Sequence, residues 1–255
     1  MNNNYSGNID YKINMPTIED IRESLQRLTK GLTVTADELR AKSPIAIPEE
    51  RSMHAPLFFR SLFDPDDLLH VVQKCYPKPS DTGAPHICPV VPGNTATAKS
   101  WADYCEIKGT PYQKGGAWVC FNPVTKVGTG KNGAYRDCDV TTFKFTLLEC
   151  DELSMSEQMS LFAHLELPIA AITTSGGKSL HALVACQAKD VGHYKNLSKN
   201  LHHRLVQLGV DPTTSNPSRL TRLPGAVRTY LADGDGIQRL LYLNPTPEAK
   251  AIINY

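Results

Sequence analysis

The chain has no run of about 18 consecutive apolar residues, which excludes a transmembrane helix. Its first residues, Met1-Asn2-Asn3-Asn4-Tyr5-Ser6-Gly7, carry neither the basic start nor the apolar stretch of a secretory signal. There is no CxxC pair among the seven cysteines, and an odd number spread from Cys75 to Cys186 is no disulfide framework. A zinc site drawn from His86, Cys88, Cys105, Cys120 or Cys138 lacks the tight paired spacing of structural zinc. The thiols are expected to be reduced, as in a cytoplasmic protein. An excess of charge is also missing: 27 Lys and Arg stand against 26 Asp and Glu, a net +1. That excludes a polycation and an acidic tail protein. It does not exclude a basic face opposed by an acidic one. Aromatics are scarce at 7%, and no internal repeat is visible.

What is present suits a folded globule. A chain of 255 residues, 41% hydrophobic and 21% charged, can bury a full core as one large domain or two small ones. Residues 1–16 are polar and expected to be mobile. Thr17 is a cap for a helix from about residue 18 to 29, with Ile21, Leu25 and Leu28 at helical spacing. Residues 43–56, with Pro44, Pro48 and Pro56, read as a linker. Asp64-Pro65-Asp66-Asp67 reads as the capped start of a helix through about Cys75. Residues 76–95, with five prolines, read as a loop before a short helix around 96–107.

The pattern then changes. Strands are expected at 116–122, 142–150, 168–174, 180–186 and 237–244, and helices at 156–165 and 191–208. Residues 126–137 form a Gly-rich basic turn. Ser175-Gly176-Gly177-Lys178 is too short for a parallel crossover, so its flanking strands should form a hairpin. The fold class is therefore α+β with a mixed or antiparallel sheet.

Three constellations carry chemistry. The apolar strand Phe145-Thr146-Leu147-Leu148 ends in Glu149-Cys150-Asp151-Glu152. Strand alternation puts Glu149 and Asp151 on one face, where a hard divalent cation would relieve their repulsion. A bare ExD is also an ordinary solvated strand end. The neighbouring Asp137-Cys138-Asp139 reads as turn chemistry. Next, Gly177-Lys178-Ser179 resembles the end of a phosphate-binding Walker loop. That motif needs a glycine where Ile172 stands and a helix where 180–184 alternates like a strand, so it is rejected. What remains is a Gly-Gly hairpin followed by Ser179-x-His181, with Lys178, Ser179 and His181 as phosphate donors. Third, Asp211 is followed by Arg219 and Arg222 in a Pro- and Ser-rich segment, a phosphate-binding composition, with Arg228 beyond.

The order ExD, then SxH about 30 residues on, then Asp about 30 further, then two arginines, resembles the archaeo-eukaryotic primase superfamily. The resemblance is to the primase-polymerases of plasmids, phages and mobile elements, and covers about residues 116–245. It implies an RRM-like catalytic unit packed with helices and preceded by an N-terminal helical segment. The implied domains are 1–50, a helical segment and linker, and 51–255, the catalytic domain. The implied activity is DNA-templated joining of nucleoside triphosphates, with Mg²⁺ or Mn²⁺ as cofactor. Glu149, Asp151 and Asp211 would hold the metal. Lys178, Ser179, His181, Arg219 and Arg222 would bind the triphosphate. Implied partners are a DNA template and primer, the nucleotides, and, as in relatives, a replicative helicase or C-terminal primase domain. Glu149 stands where aspartate is more usual, and Asp211 precedes a proline.

Two other classes remain. A non-catalytic RRM-like replication-initiator module would keep the arginines without converging carboxylates, but would want exposed sheet aromatics. A metal-dependent nuclease would use the same carboxylates without needing the SxH and arginine set. Residues 178–228 hold eight Lys or Arg against two acids, a local +6, so the overall +1 is a sum of unlike parts. A polynucleotide partner is expected, bound less tightly as salt rises.

Overall fold

The computed structural model describes residues 15–79, 86–230 and 234–248. The polar N-terminal stretch lies, up to residue 14, outside the described residues. No helix among them is long and apolar enough to cross a membrane.

The chain begins with α1 (Ile18–Thr29), α2 (Ala36–Ala41) and α3 (His54–Leu62). It continues through β1 (Leu68–Val72), β2 (Cys75–Lys78), β3 (His86–Pro89), β4 (Asn94–Thr97), α4 (Ala98–Lys108) and β5 (Trp118–Cys120). Then come β6 (Phe143–Glu149), α5 (Met155–His164), β7 (Ile169–Thr174), β8 (Leu180–Ala188) and α6 (Val191–Leu205), and finally β9 (Leu220–Arg222) and β10 (Leu240–Leu243). Three sheets result, ordered β4-β1-β5-β9, β10-β7-β8-β6 and β2-β3, and every pairing is antiparallel. The α+β class holds, and β7 and β8 form the expected hairpin.

Helix starts follow side-chain capping. Thr17 accepts from Asp20 N, while the Asp20 carboxylate accepts from Thr17 N. Thr35 with Glu38 and Ser154 with Glu157 repeat this reciprocal box on α2 and α5, each satisfying two otherwise unpaired amides. Asp190 caps α6 through His193 N.

The N-terminal half departs from expectation in three places. Residues 43–56 are not a plain linker, because α3 starts at His54 and buries Ala55, Pro56, Phe58 and Phe59. Pro56 sits in the first turn, where a missing N–H costs nothing. His54 is buried and neutral: Nε2–H donates to Pro48 O at 2.8 Å and Nδ1 accepts from Leu240 N at 3.2 Å. Asp64 and Asp67 do not cap a helix; both carboxylates receive Lys144 Nζ at 2.8 Å. Leu68–Val72 is a strand with Leu69, Val71 and Val72 fully buried. A short apolar run does not distinguish a buried strand from a helix, and here the flanking strands decide. The proline-rich segment supplies β2, β3 and β4 rather than one loop, apart from residues 80–85, which lie outside the described residues.

The β10-β7-β8-β6 sheet is covered on both faces. One face carries Leu148, Ile172, Leu180, Ala182 and Val184 against α1, α5 and α6. The other carries Phe145, Leu147, Leu183 and Ala185 against the first sheet and the aromatics of α3. Phe63 meets the Phe145 ring edge-on at 5.9 Å, and Phe59 stacks on Trp101 at 6.4 Å.

One buried polar chain inside the first sheet gives a pH test. His70 is 2% exposed; its Nε2 accepts from Gly93 N at 3.2 Å, so Nδ1–H donates to Thr95 Oγ1 at 3.0 Å. Thr95 in turn meets Tyr135 Oη at 2.8 Å, and that hydroxyl donates to Lys126 O. Burial pushes the imidazole down to about 4, because a proton on Nε2 would destroy the Gly93 acceptor without water to compensate. The unfolded chain takes up that proton near its ordinary value of about 6.5. Stability is therefore full above that value and falls as pH drops toward 4, by about 3 kcal/mol for this group. Urea midpoints compared at pH 7.5 and 4.5 should show a smaller difference in His70→Gln than in wild type. Equal differences would remove His70 from the acid response.

Candidate active site

The pairing of β6 with β8 sets the site. Leu147 lies opposite Leu183 and Glu149 opposite His181. The row that faces the first sheet therefore runs Phe145, Leu147, Glu149 on one strand and Ala185, Leu183, His181 on the next. It is apolar for two rungs and polar at the third. There the two sheets part around a cavity of about 640 Å³.

The cavity gathers Glu149, Asp151, Lys178, Ser179, His181, Arg219 and Arg222, all of the sequence-predicted site residues except Asp211. Asp211 is tied to the site by its backbone, whose N–H donates to Glu149 O at 2.9 Å. Its carboxylate is turned to Thr213, accepting from the amide at 2.8 Å and the hydroxyl at 2.9 Å. It caps the short turn of residues 212–214 and does not line the cavity.

Glu149 is pushed up to about 7, first by burial and also by Asp151 and Asp211, with Arg219 and Arg222 opposing. His181 is held well below its usual value by burial, then by Arg222, Arg219 and Arg228. Its Nδ1 lies 3.3 Å from Glu149 Oε1 and 3.0 Å from Thr221 Oγ1. With the imidazole neutral, the first approach is not an ion pair. Both contacts use Nδ1, which leaves Nε2 for another group.

The cations are fixed from behind. Arg222 Nη1 donates to Gly115 O at 3.0 Å, and its guanidinium lies 4.5 Å from the Trp118 ring centroid. Trp118 is directly opposite it across β5 and β9. Burial and then Arg228 push Arg222 down to about 9, so it stays charged at neutral pH. Arg228 Nη1 donates to Ser175 O at 3.1 Å, and its Nε is buried without a partner. Arg219 Nη1 reaches Thr213 O at 3.3 Å.

The 175–179 turn is self-organised. Ser175 Oγ accepts from Gly177 N and Ser179 N, while Ser175 N donates to Ser179 O. Gly176 has φ +75°, and a Cβ there would lie 2.5 Å from Gly236 O, so only glycine fits. Gln158, fully buried on α5, joins this turn to the carboxylate loop. Its Nε2 donates to Leu153 O at 2.7 Å and Lys178 O at 2.9 Å, and its Oε1 accepts from Leu180 N at 2.6 Å.

Among the described residues no group of three or more His, Cys, Asp or Glu side chains is gathered to hold a metal ion. Glu149 and Asp151 nevertheless fit a hard divalent cation. Mg²⁺ is commonly held by one or two carboxylates with substrate phosphates and water completing its shell. The acid neighbours that raise Glu149 are the repulsion such a cation would relieve.

Sequence reasoning left Arg228, Thr221, Trp118, Ile87 and Pro89 outside the set of site residues. Spacing beyond Arg219 and Arg222 was a signal for Arg228. Nothing local marks the others, which arrive by the pairing of β9 with β5 and of β2 with β3. The basic run of 178–228 is also not one surface. Arg219, Arg222 and Arg228 line the cavity, whereas Lys195, Lys199 and Arg204 stand exposed on α6, which packs on the sheet's opposite face.

No protein-family model matches the chain, and no match was found among curated proteins. Among solved structures, the antiparallel α+β fold is similar to the AEP domain of the primase-polymerase of cyanophage S-2L. The TM-score is 0.47 at 18% identity, over 79% of this chain and 95% of that one. It is also similar to primase RepB′, with a TM-score of 0.45 at 12% identity, over 80% of this chain and 61% of that one. These likenesses are of fold.

Gln158→Leu keeps the side-chain bulk and leaves a buried amide and two carbonyls without partners. At about 1–3 kcal/mol for each unsatisfied group, partly relieved by relaxation, it should cost about 2–4 kcal/mol. The urea midpoint reads this directly, and an unchanged midpoint would show that the clamp contributes nothing.

Proposed function

We propose that the chain is a template-dependent nucleotidyltransferase, a DNA primase or polymerase joining nucleoside triphosphates on a DNA template. The observation that carries this reading is one cavity that brings the carboxylates Glu149 and Asp151 together with the cations Arg219, Arg222 and Arg228, and with Lys178, whose Nζ lies 3.5 Å from Asp151 O. A triphosphate is the ligand with charge for the cationic side chains and oxygens for a cation at the carboxylates. The order of the motifs in the sequence supports the same reading. We assign the catalytic unit to residues 51–255, preceded by a helical segment and linker within residues 1–50.

In this scheme the arginines and Lys178 neutralise the triphosphate and hold it in line for attack. His181 accepts the Thr221 hydroxyl at Nδ1 and donates Nε2–H to a phosphate oxygen. Ser179, whose hydroxyl donates to Ser175 Oγ at 3.1 Å, would turn that hydroxyl to the same group. A divalent cation held by Glu149 and Asp151 would supply Lewis-acid stabilisation of the reacting phosphate. A primer 3′-oxygen forms a bond to the α-phosphorus, its proton passes to solvent, and the bond to pyrophosphate breaks. Asp211 holds the Glu149 strand end and adds negative potential beside it. A nuclease would have no use for so many cations around a single ester.

Primer extension with Mg²⁺ or Mn²⁺, run separately with ribo- and deoxynucleotides, tests the proposal. Asp151→Ala should abolish incorporation with its unfolding midpoint preserved; normal extension by that variant would remove the assignment. His181→Ala should raise the nucleotide KM about tenfold, the worth of one hydrogen bond to a charged group. It should leave template affinity unchanged, and the reverse pattern would move His181 to the template.

A further inference from the structure

Beside the arginines of the cavity, the chain makes a second feature that nucleotide binding does not use. Residues 112–116 turn back on themselves, with Gln113 N donating to Gly116 O and Gly116 N to Gln113 O at 2.7 Å. The tip exposes Tyr112, Gln113 and Lys114. Its base is locked to the site: Gly115 O accepts from Arg222, and Gly115 pairs with Arg228. Thr229 N and Tyr230 N both donate to Lys114 O, at 2.8 and 3.0 Å, which brings Tyr230 alongside.

Two rings are thereby presented to solvent on one rim, Tyr112 and Tyr230, each 42% exposed. Each carries a cation. The Arg51 guanidinium lies 5.8 Å from the Tyr112 centroid, and Lys114 Nζ lies 5.5 Å from that of Tyr230. Arg51 is itself anchored, donating to Gly225 O at 2.6 Å. The nearby Glu50 carboxylate is engaged by the Ser52 hydroxyl. In a chain with 7% aromatics, two solvent-facing ring and cation pairs sit on and beside the loop that also holds Arg222.

We propose that this rim is a stacking platform for single-stranded nucleic acid beside the cavity. Exposed rings offer faces to unpaired bases, and the cations beside them meet the phosphates, a pairing that duplex DNA cannot exploit because its bases are already stacked. The loop that carries Tyr112 also holds Arg222 through Gly115 O, so the platform adjoins the arginine side of the cavity. This inference rests on the nucleotidyltransferase reading for its purpose, and its test does not depend on turnover.

The test is fluorescence anisotropy of the full chain with a fluorescein-labelled single-stranded 20-mer and the matching duplex, at two salt concentrations. Wild type should prefer the single strand. The double variant Tyr112→Ala/Tyr230→Ala should bind at least about tenfold more weakly, as expected when stacked bases lose their platform. Tyr112→Phe/Tyr230→Phe should bind like wild type, because the rings remain. Lys114→Ala should reduce the slope of log affinity against log salt by about one. Asp151→Ala should keep full single-strand affinity. A double alanine variant that binds like wild type, or a wild type that prefers duplex, would overturn the platform. Absent nucleotide incorporation with this binding pattern intact would instead overturn the enzymatic reading alone.

Discussion

The register between β6 and β8 is the constraint on which the rest depends. A slip of one residue would turn one strand over relative to the other, for β6 sending Glu149 to the helix side and Leu148 to the cavity. The register is not uniform; it shifts between Phe143 and Phe145. At that point the side chain of Asn122 takes the place of a strand partner. Its Oδ1 accepts from Lys144 N and Phe145 N at 2.9 Å, and its Nδ2 donates to Phe145 O and Pro217 O. Asn122 is fully buried, so four hydrogen bonds from one amide fix the irregularity in place. The same amide reaches the loop before Arg219, so strand register and the position of the arginines are set by one side chain.

From that register the site is built by substitution within a core pattern. The facing rows of β6 and β8 are apolar where the sheets touch and polar where they part. The energetic consequence is that charged and titratable groups stand at the edge of a dry interior. Burial is the first cause of the shifts at Glu149, His181 and Arg222 alike. Backbone carbonyls then do much of the restraining: Gly115 O holds Arg222, Ser175 O holds Arg228 and Thr213 O holds Arg219. Each guanidinium spends one donor on a carbonyl that lies in a turn rather than in a ladder. Their remaining donors are available for a ligand without rearrangement of the fold.

What the sequence made legible were features decided locally. Thr17 stands three residues before Asp20 and starts α1 with a reciprocal cap. The Gly-Gly turn forced a hairpin, and with it an antiparallel sheet. The three motif segments, read in order, contained nearly every side chain that lines the cavity. What was not legible depended on neighbours distant in the chain. Leu68–Val72 became a central strand because β4 and β5 flank it, and the Asp64 and Asp67 carboxylates were claimed by Lys144 about 80 residues away. The His54 helix is invisible among prolines until Pro48 O and Leu240 N are seen on either side of one imidazole. The direction of the Asp211 carboxylate is of the same kind. Its position in the sequence allows convergence with Glu149, and a threonine two residues on decides otherwise.

The two sets of charges in the cavity are each unfavourable on their own. Three arginines share it, and burial makes their mutual repulsion costlier, as the depression of Arg222 by Arg228 records. Glu149 is raised first by burial and then by its acidic neighbours, against the pull of Arg219 and Arg222. The two sets do not cancel each other. No ion pair joins any of these arginines to Glu149 or Asp151 among the described residues, and their hydrogen bonds go to carbonyls instead. A fold that only needed stability would have closed that gap with direct pairs or with apolar packing. An open gap between opposed fields is matched by a ligand that is itself divided, anionic toward the arginines and capped by a cation toward the carboxylates. Charge held apart in this way is the physical content that a net charge of +1 conceals.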